Sequence, residues 1–201
     1  MPTTKTDLRL KKTQAKLREA LLAFLTEGRC IASVTAAELT ELAGVNRSTF
    51  YLHYKNVAEM ATEYEDALLS RLQSAMKGTR RPSSPAGQGA GEALTAALCG
   101  AFAAAKELRT PLLAFLLPTA GASLPGRLCG MLLPVCTEYA AHRKRSATPG
   151  VAEGYAAFLA GGLVGLLPGF LQQDVTPGQM TEIVREIVME ESILLKFRQF
   201  G

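Results

Sequence analysis

"SVTAAELTELAGVNRSTFYLHY", residues 33–54, starts a helix, ends it and starts another around a single glycine. Thr35 heads a T-A-A-E capping box, with Glu38 placed to reach back to the free amides of the first turn. That helix runs to about Ala43, Gly44 supplies the turn, and Asn46 is the N-cap of the next segment, "RSTFYLHY". Two helices this short bury little area, so their use lies in the angle between them. With apolar locks at Leu39, Leu42, Val45 and Phe50, the spacing describes a helix-turn-helix. Such a unit lays its second helix in a DNA major groove. Arg47, Ser48 and Thr49 open that helix with hydrogen-bonding groups of the kind that read base edges. Tyr51, His53 and Lys55 follow within reach of phosphate oxygens.

Outward from this stretch, apolar residues at Leu10, Leu17, Leu21, Phe24 and Leu25 predict an amphipathic helix from Asp7 to about Glu27, ended by Gly28. Asn56 caps a fourth helix, apolar at Met60, Tyr64, Leu68 and Leu72, that links the module to the rest over residues 57–77. Residues 78–91, "GTRRPSSPAGQGAG", read as a loop. Helical patterns follow at Glu92–Leu108, Pro111–Leu117, Leu124–Arg143, Val151–Gln172 and Pro177–Phe200, with kinks expected at Pro134 and Pro168. Ala and Leu dominate, and no alternating strand pattern emerges. The fold class is all-α, divided as a helix-turn-helix domain over 1–57 and a helical effector-binding and dimerisation domain over 58–201.

Charge separates these two parts. Residues 1–81 carry 13 Lys/Arg against 9 Asp/Glu, while residues 82–201 carry 9 of each, so all of the +4 excess lies with the helix-turn-helix. A basic module joined to a neutral, apolar one suits a polyanion reader. The start, "MPTTKTDLRLKK", is polar and basic rather than a secretory signal. The most apolar stretch, Phe158–Leu171, is too short to span a bilayer, so a cytoplasmic protein without a membrane partner is expected. Cys30, Cys99, Cys129 and Cys136 form no CxxC pair, and only two histidines are present, so no metal site is expected. No G-x-S-x-G, P-loop or HExxH motif supplies catalytic residues, and no cofactor is implied.

The segment "VTAAELTELAGVNRSTFYLHYKNVAEM" resembles the signature of the tetracycline-repressor (TetR) family of bacterial transcriptional regulators. In that family the helix-turn-helix ends in an aromatic F/L-Y-x-H/Y-F/Y-x-N/S stretch, here Phe50, Tyr51, His53, Tyr54 and Asn56. Matched by position, the resemblance assigns phosphate contacts to Thr35, Tyr51, His53 and Lys55 and base contacts to Arg47, Ser48 and Thr49, behind the cap Asn46. Phe50 and Tyr54 would lock the three-helix core. Two positions depart from the family pattern: Thr40 stands where a small alanine is usual, and Val57 where a lysine often follows the cap.

Farther along, "YAAFLAGGLVGLLPGFLQQDVTPGQMTEIV" resembles the last two helices of one branch of that family, which usually has a tryptophan near Gly169 or Phe170 and no proline. The resemblance implies a homodimer on a palindromic operator, with Leu163, Leu166, Val184, Ile187, Val188 and Ile193 at the interface and glycines 161, 162 and 165 allowing close approach. It also implies a small-molecule pocket. Residues able to line one are Leu98, Phe102, Phe115, Met131, Cys136, Tyr139, Tyr155 and Phe158, and so few charges among them fit a small, mostly apolar effector. The fourth helix is the only long element expected to link the two parts. An effector-free, partner-controlled or architectural regulator is the alternative.

Overall fold

Both helix starts expected within residues 33–54 carry their caps. The Thr35 hydroxyl accepts from the Glu38 amide, and the Glu38 carboxylate accepts from the Thr35 amide, closing the capping box. Asn46 Oδ1 accepts from the Ser48 amide at 2.9 Å. Between them Gly44 sits at φ +60°, which lets Val45 and itself donate back to Thr40 and Glu41 and end the first helix tightly. The computed structural model describes residues 5–78, 89–143, 150–173 and 175–189. Among these residues there are nine α-helices and no strand. They are α1 (Lys5–Thr26), α2 (Ala36–Ala43), α3 (Arg47–Tyr51), α4 (Val57–Gly78), α5 (Gly89–Glu107), α6 (Arg109–Leu116), α7 (Leu124–Arg143), α8 (Val151–Gln172) and α9 (Pro177–Met189). Most of the expected loop, residues 79–88, and the end of the last helical pattern, beyond 189, lie outside the described residues.

The chain forms two compact units that do not follow chain order. One contains residues up to Leu68 together with Leu108–Pro125; the other contains Leu69–Glu107 and Gly126 onward. Helix α4 contributes to both. In the first unit, Leu17, Leu21 and Leu25 of α1, Leu39 of α2, Phe50 of α3 and Met60 of α4 form a fully buried core. Leu42 is not part of it. The buried direction of α2 is that of Leu39 and Thr40, and Leu42 lies roughly 110° away from it at 100° per residue, leaving it 55 % exposed. Helix α6 packs on α1, and its Phe115 meets Tyr64 of α4 edge-on at 5.5 Å between ring centres. Segment 108–125 therefore belongs with the first unit.

The loop after α6 is held by two contacts that no local pattern announces. Glu65 of α4 is 2 % exposed, and its carboxylate accepts from both the amide and the hydroxyl of Ser123. Gly121 sits at φ +65° directly against Cys30: a Cβ there would lie 2.7 Å from the Cys30 sulfur. Only glycine satisfies both the backbone angle and the space.

The second unit is built from apolar helix faces. Helix α9 packs on α5, burying Val184 completely, and Phe102 of α5 meets Phe170 of α8 edge-on at 5.6 Å. A second capping box opens α9: Thr176 and Gln179 exchange amide bonds just ahead of and behind Pro177. Helices α7 and α8 run through Pro134 and Pro168, each of which removes one backbone donor. By length and composition α8 is long and apolar enough to cross a membrane, with mean hydropathy 1.6 over its most apolar window. The exclusion drawn from 158–171 alone does not extend to the whole helix. Packing argues instead: Ala156, Leu159, Ala160, Leu163, Val164, Leu167 and Leu171 form one wall of the second unit's core.

Candidate nucleic-acid interface

The recognition segment is fixed from below by aromatic rings and a polar relay. Phe50 is fully buried and Tyr54 is 3 % exposed, with their ring centres 5.6 Å apart. Tyr51 packs edge-on against Phe50 at 5.4 Å and keeps half its surface in solvent. The Tyr54 hydroxyl donates to Glu63 at 3.2 Å and accepts from Gln14 of α1 at 3.3 Å. Glu63 in turn accepts from Arg18 at 3.1 Å, and the Arg18 guanidinium lies 4.7 Å over the Tyr64 ring. Burial pushes the Tyr54 and Tyr64 hydroxyls above the ordinary tyrosine range. Sequence reading missed Gln14, Arg18 and Glu63, because their pairing joins residues about 40 positions apart.

With this support, most of the candidate DNA-reading residues reach solvent. Arg47, Ser48, Tyr51, His53, Lys55, Thr35 and Asn46 are exposed, and Thr49 is half-buried. Their readiness differs. Arg47 makes no hydrogen bond or ion pair among the described residues, so all its donors are available. The Ser48 hydroxyl donates to Asn46 at 2.9 Å, tying those two together. The Thr35 hydroxyl donates its hydrogen bond to Glu38 at 2.6 Å, which makes it a poorer phosphate donor than an unengaged one. Glu38 also accepts from Arg29 at 2.9 Å; that bond and those from Thr35 hold its carboxyl down to about 2. Leu52, 79 % exposed, closes α3 among these polar groups.

The other assigned residues are scattered more widely. Leu98, Phe102 and Met131 line a narrow apolar cavity of about 40 Å³ within the second unit. Met131 and Tyr139 also border an open cleft of about 240 Å³, with Gln73, Lys77 and Glu138 at its polar side. Cys136 is fully buried, its thiol pushed up to about 11 by that burial, and Tyr155 is half-buried; neither borders these spaces. Phe115 lies in the first unit, where it packs on Tyr64. Phe158 is 59 % exposed on α8, on the side of the helix away from the core. Of the expected interface residues, Leu163 and Val184 are buried inside their own chain, because α8 and α9 turn those faces toward the second unit's core. Leu166 is exposed. The side chains of Ile187 and Val188, and all of Ile193, lie outside the described residues.

Neither a protein-family model nor a curated protein sequence matches the chain. Solved structures do. A TetR-like transcriptional regulator from Rhodococcus sp. RHA1 superimposes with a TM-score of 0.61 at 14% identity, covering 88% of this chain and 93% of its own. The fatty acid degradation regulator FadR from Bacillus halodurans gives 0.63 at 10% identity over 89% and 95%. NalD, the secondary repressor of the MexAB-OprM multidrug efflux pump in Pseudomonas aeruginosa, gives 0.56 at 20% identity over 89% and 95%. The chain has the TetR fold.

The TetR fold explains how both departures from the family signature are accommodated. Thr40 is 2 % exposed, yet its hydroxyl is satisfied by the carbonyls of Ala36 at 2.7 Å and Ala37 at 3.1 Å, so it buries no unpaired polar group. Val57, at the start of α4, is 4 % exposed and works as core. The neighbouring cap is carried by Asn56, which accepts from the Glu59 amide at 2.8 Å, while Glu59 accepts from the Lys55 amide.

Proposed function

We propose that the protein is a sequence-specific DNA-binding transcriptional regulator, a repressor that leaves its operator when a small, mostly apolar effector binds. Residues 1–57 read DNA, and residues 58–201 carry the effector site and the dimer surface. The observation that carries this reading is the presentation of Arg47, unpaired and exposed, at the start of a capped helix whose underside is locked by Phe50 and Tyr54. Selection of binding sites from a random duplex library tests it. The wild type is expected to enrich a palindrome with half-sites about one DNA turn apart, 34–36 Å or somewhat more. Arg47→Ala is expected to relax that preference by about 1–3 kcal/mol per half-site. No enrichment by the wild type would refute the reading.

A homodimer is part of the proposal, since one recognition helix reads too few base pairs for a unique site. Support comes from the outer face of α8, where Gly154, Phe158, Gly161, Gly162, Gly165 and Leu166 are exposed and no charged residue occurs after Glu153. None of these glycines has a neighbour within 4 Å of an added Cβ, so a second helix has room to approach. Phe158→Glu with Leu166→Glu is expected to give monomers by sedimentation without lowering the unfolding temperature.

The 240 Å³ cleft favours the effector-controlled reading over the effector-free alternative, which a void-free second unit would have suited better. A repressor that meets both DNA and a small effector works in the cytoplasm.

A further inference from the structure

The two cavities of the second unit lie end to end between the same helices. The open cleft of about 240 Å³ is bordered by Leu94 and Ala97 of α5 and by Met131, Val135 and Tyr139 of α7. The inner cavity of about 40 Å³ continues along α5 at Leu98, Ala101 and Phe102, and in the opposite chain direction along α7 at Met131 and Leu128. Helix α8 borders only the inner one, where Leu163 and Leu167 wall it off. Among the described residues, Met131 alone borders both. Its side chain is half-buried, unbranched and rich in rotatable bonds, so it can swing aside at little cost.

The two ends differ in chemistry. Only apolar residues border the inner cavity. At the rim of the cleft, Gln73 and Lys77 stand one turn apart on one flank of α4, both exposed. Neither side chain makes a hydrogen bond or ion pair among the described residues, whereas Glu138 on the same rim is already engaged. The unspent groups are therefore N–H donors, one of them cationic, and their match is an anionic acceptor. We infer that Met131 is a movable partition, and that with it swung aside the two cavities form one blind channel for an unbranched alkyl carboxylate. Its head meets Lys77 and Gln73, and the end of its chain passes Met131. The inference rests on the effector-controlled reading and names the effector's chemical class. Size sets the length. An apolar cavity of about 150 Å³ holds one benzene, roughly 25 Å³ per heavy atom. At that density the cleft takes about ten heavy atoms, as in octanoate, and the inner cavity about two more, as in decanoate.

Calorimetric titration of the full chain with hexanoate, octanoate, decanoate and dodecanoate tests it. Each methylene taken out of water is expected to tighten binding about four-fold as far as decanoate, with no further gain at dodecanoate. Ala101→Val, which fills the inner cavity, is expected to erase only the gain from octanoate to decanoate. Met131→Ala, which leaves the partition open, is expected to enlarge that gain and to let dodecanoate add to it. Unchanged hexanoate binding shows that both variants fold. Lys77→Gln is expected to weaken decanoate about two- to five-fold and to leave decan-1-ol unaffected. A wild-type gain that climbs on through dodecanoate, or one that Ala101→Val leaves intact, means adsorption to apolar surface and overturns the channel. A gain unchanged by Met131→Ala overturns the partition, and decan-1-ol or decylammonium binding as tightly as decanoate overturns the carboxylate. No binding by any of these probes overturns the whole inference, while DNA binding by the wild type keeps the regulator reading standing. Decanoate that binds with the expected pattern yet leaves affinity for a selected DNA site unchanged upholds the channel and refutes effector release.

Discussion

The two units of this chain differ in the helices that build them. In the first, short helices are tied by directional contacts: a capping box at Thr35–Glu38, the relay Gln14–Tyr54–Glu63–Arg18, and Glu65 clasped by Ser123. In the second, long helices rich in Ala, Gly and Leu bury apolar faces against one another. The Arg71–Glu107 pair is well exposed on both sides, and Lys106 reaches the Val175 carbonyl at the surface. The contrast suits the tasks proposed for them. Base reading demands side chains held to a fraction of an ångström, whereas a cavity that accepts a small molecule benefits from apolar walls that slide and repack.

The strongest way to break the comparison is in the first unit's core. Phe50→Ala removes a ring with no exposed surface and is expected to cost about 3–5 kcal/mol in urea unfolding. Because Phe50 also supports Tyr51 and Tyr54, DNA binding is expected to vanish before the protein unfolds fully. Next in size is Gly121→Ala, which meets both an unfavourable backbone angle and the Cys30 sulfur. A loss of about 1–3 kcal/mol is expected. Adding Cys30→Ala is expected to recover the steric part only; full recovery would mean that the backbone angle costs nothing.

Smaller effects sharpen the contrast between the units. Thr35→Ala and Thr176→Ala each delete a capping hydroxyl and are expected to cost about 1 kcal/mol. Only the first is expected to weaken DNA binding, since it alone positions a helix of the interface. The smallest effect is one of pH. Glu38 is held down to about 2, from an ordinary 4.5, by its bonds from Arg29 and Thr35. Its folded form is the more acidic, so its stabilisation is complete above about pH 4.5 and is lost as pH falls through about 2. Comparing acid unfolding of wild type and Glu38→Gln, the difference in stability is expected to shrink steadily over that window. A difference that persisted at pH 2 would assign the cap's strength to packing instead.

What the sequence determined by itself was the local part of this protein. Caps at Thr35, Asn46 and Asn56, the turn at Gly44 and the starts of α7, α8 and α9 depend on residues within four positions of each other, so they can be read along the chain. The same locality lets candidate DNA contacts be named from one continuous stretch, because a helix-turn-helix offers its second helix there. Tertiary structure decided everything that needed a distant partner. It turned Leu42 outward and Leu163 and Val184 inward, since helical spacing marks an apolar face without saying what covers it. It returned residues 108–125 to the first unit, because Phe115 found Tyr64 and Ser123 found Glu65 across some fifty positions of chain. And it brought Gln14 to the Tyr54 hydroxyl, a link whose two ends carry no common pattern. Side chains adjacent in the chain interact by bond geometry alone, but those brought together by folding depend on the packing of everything between them.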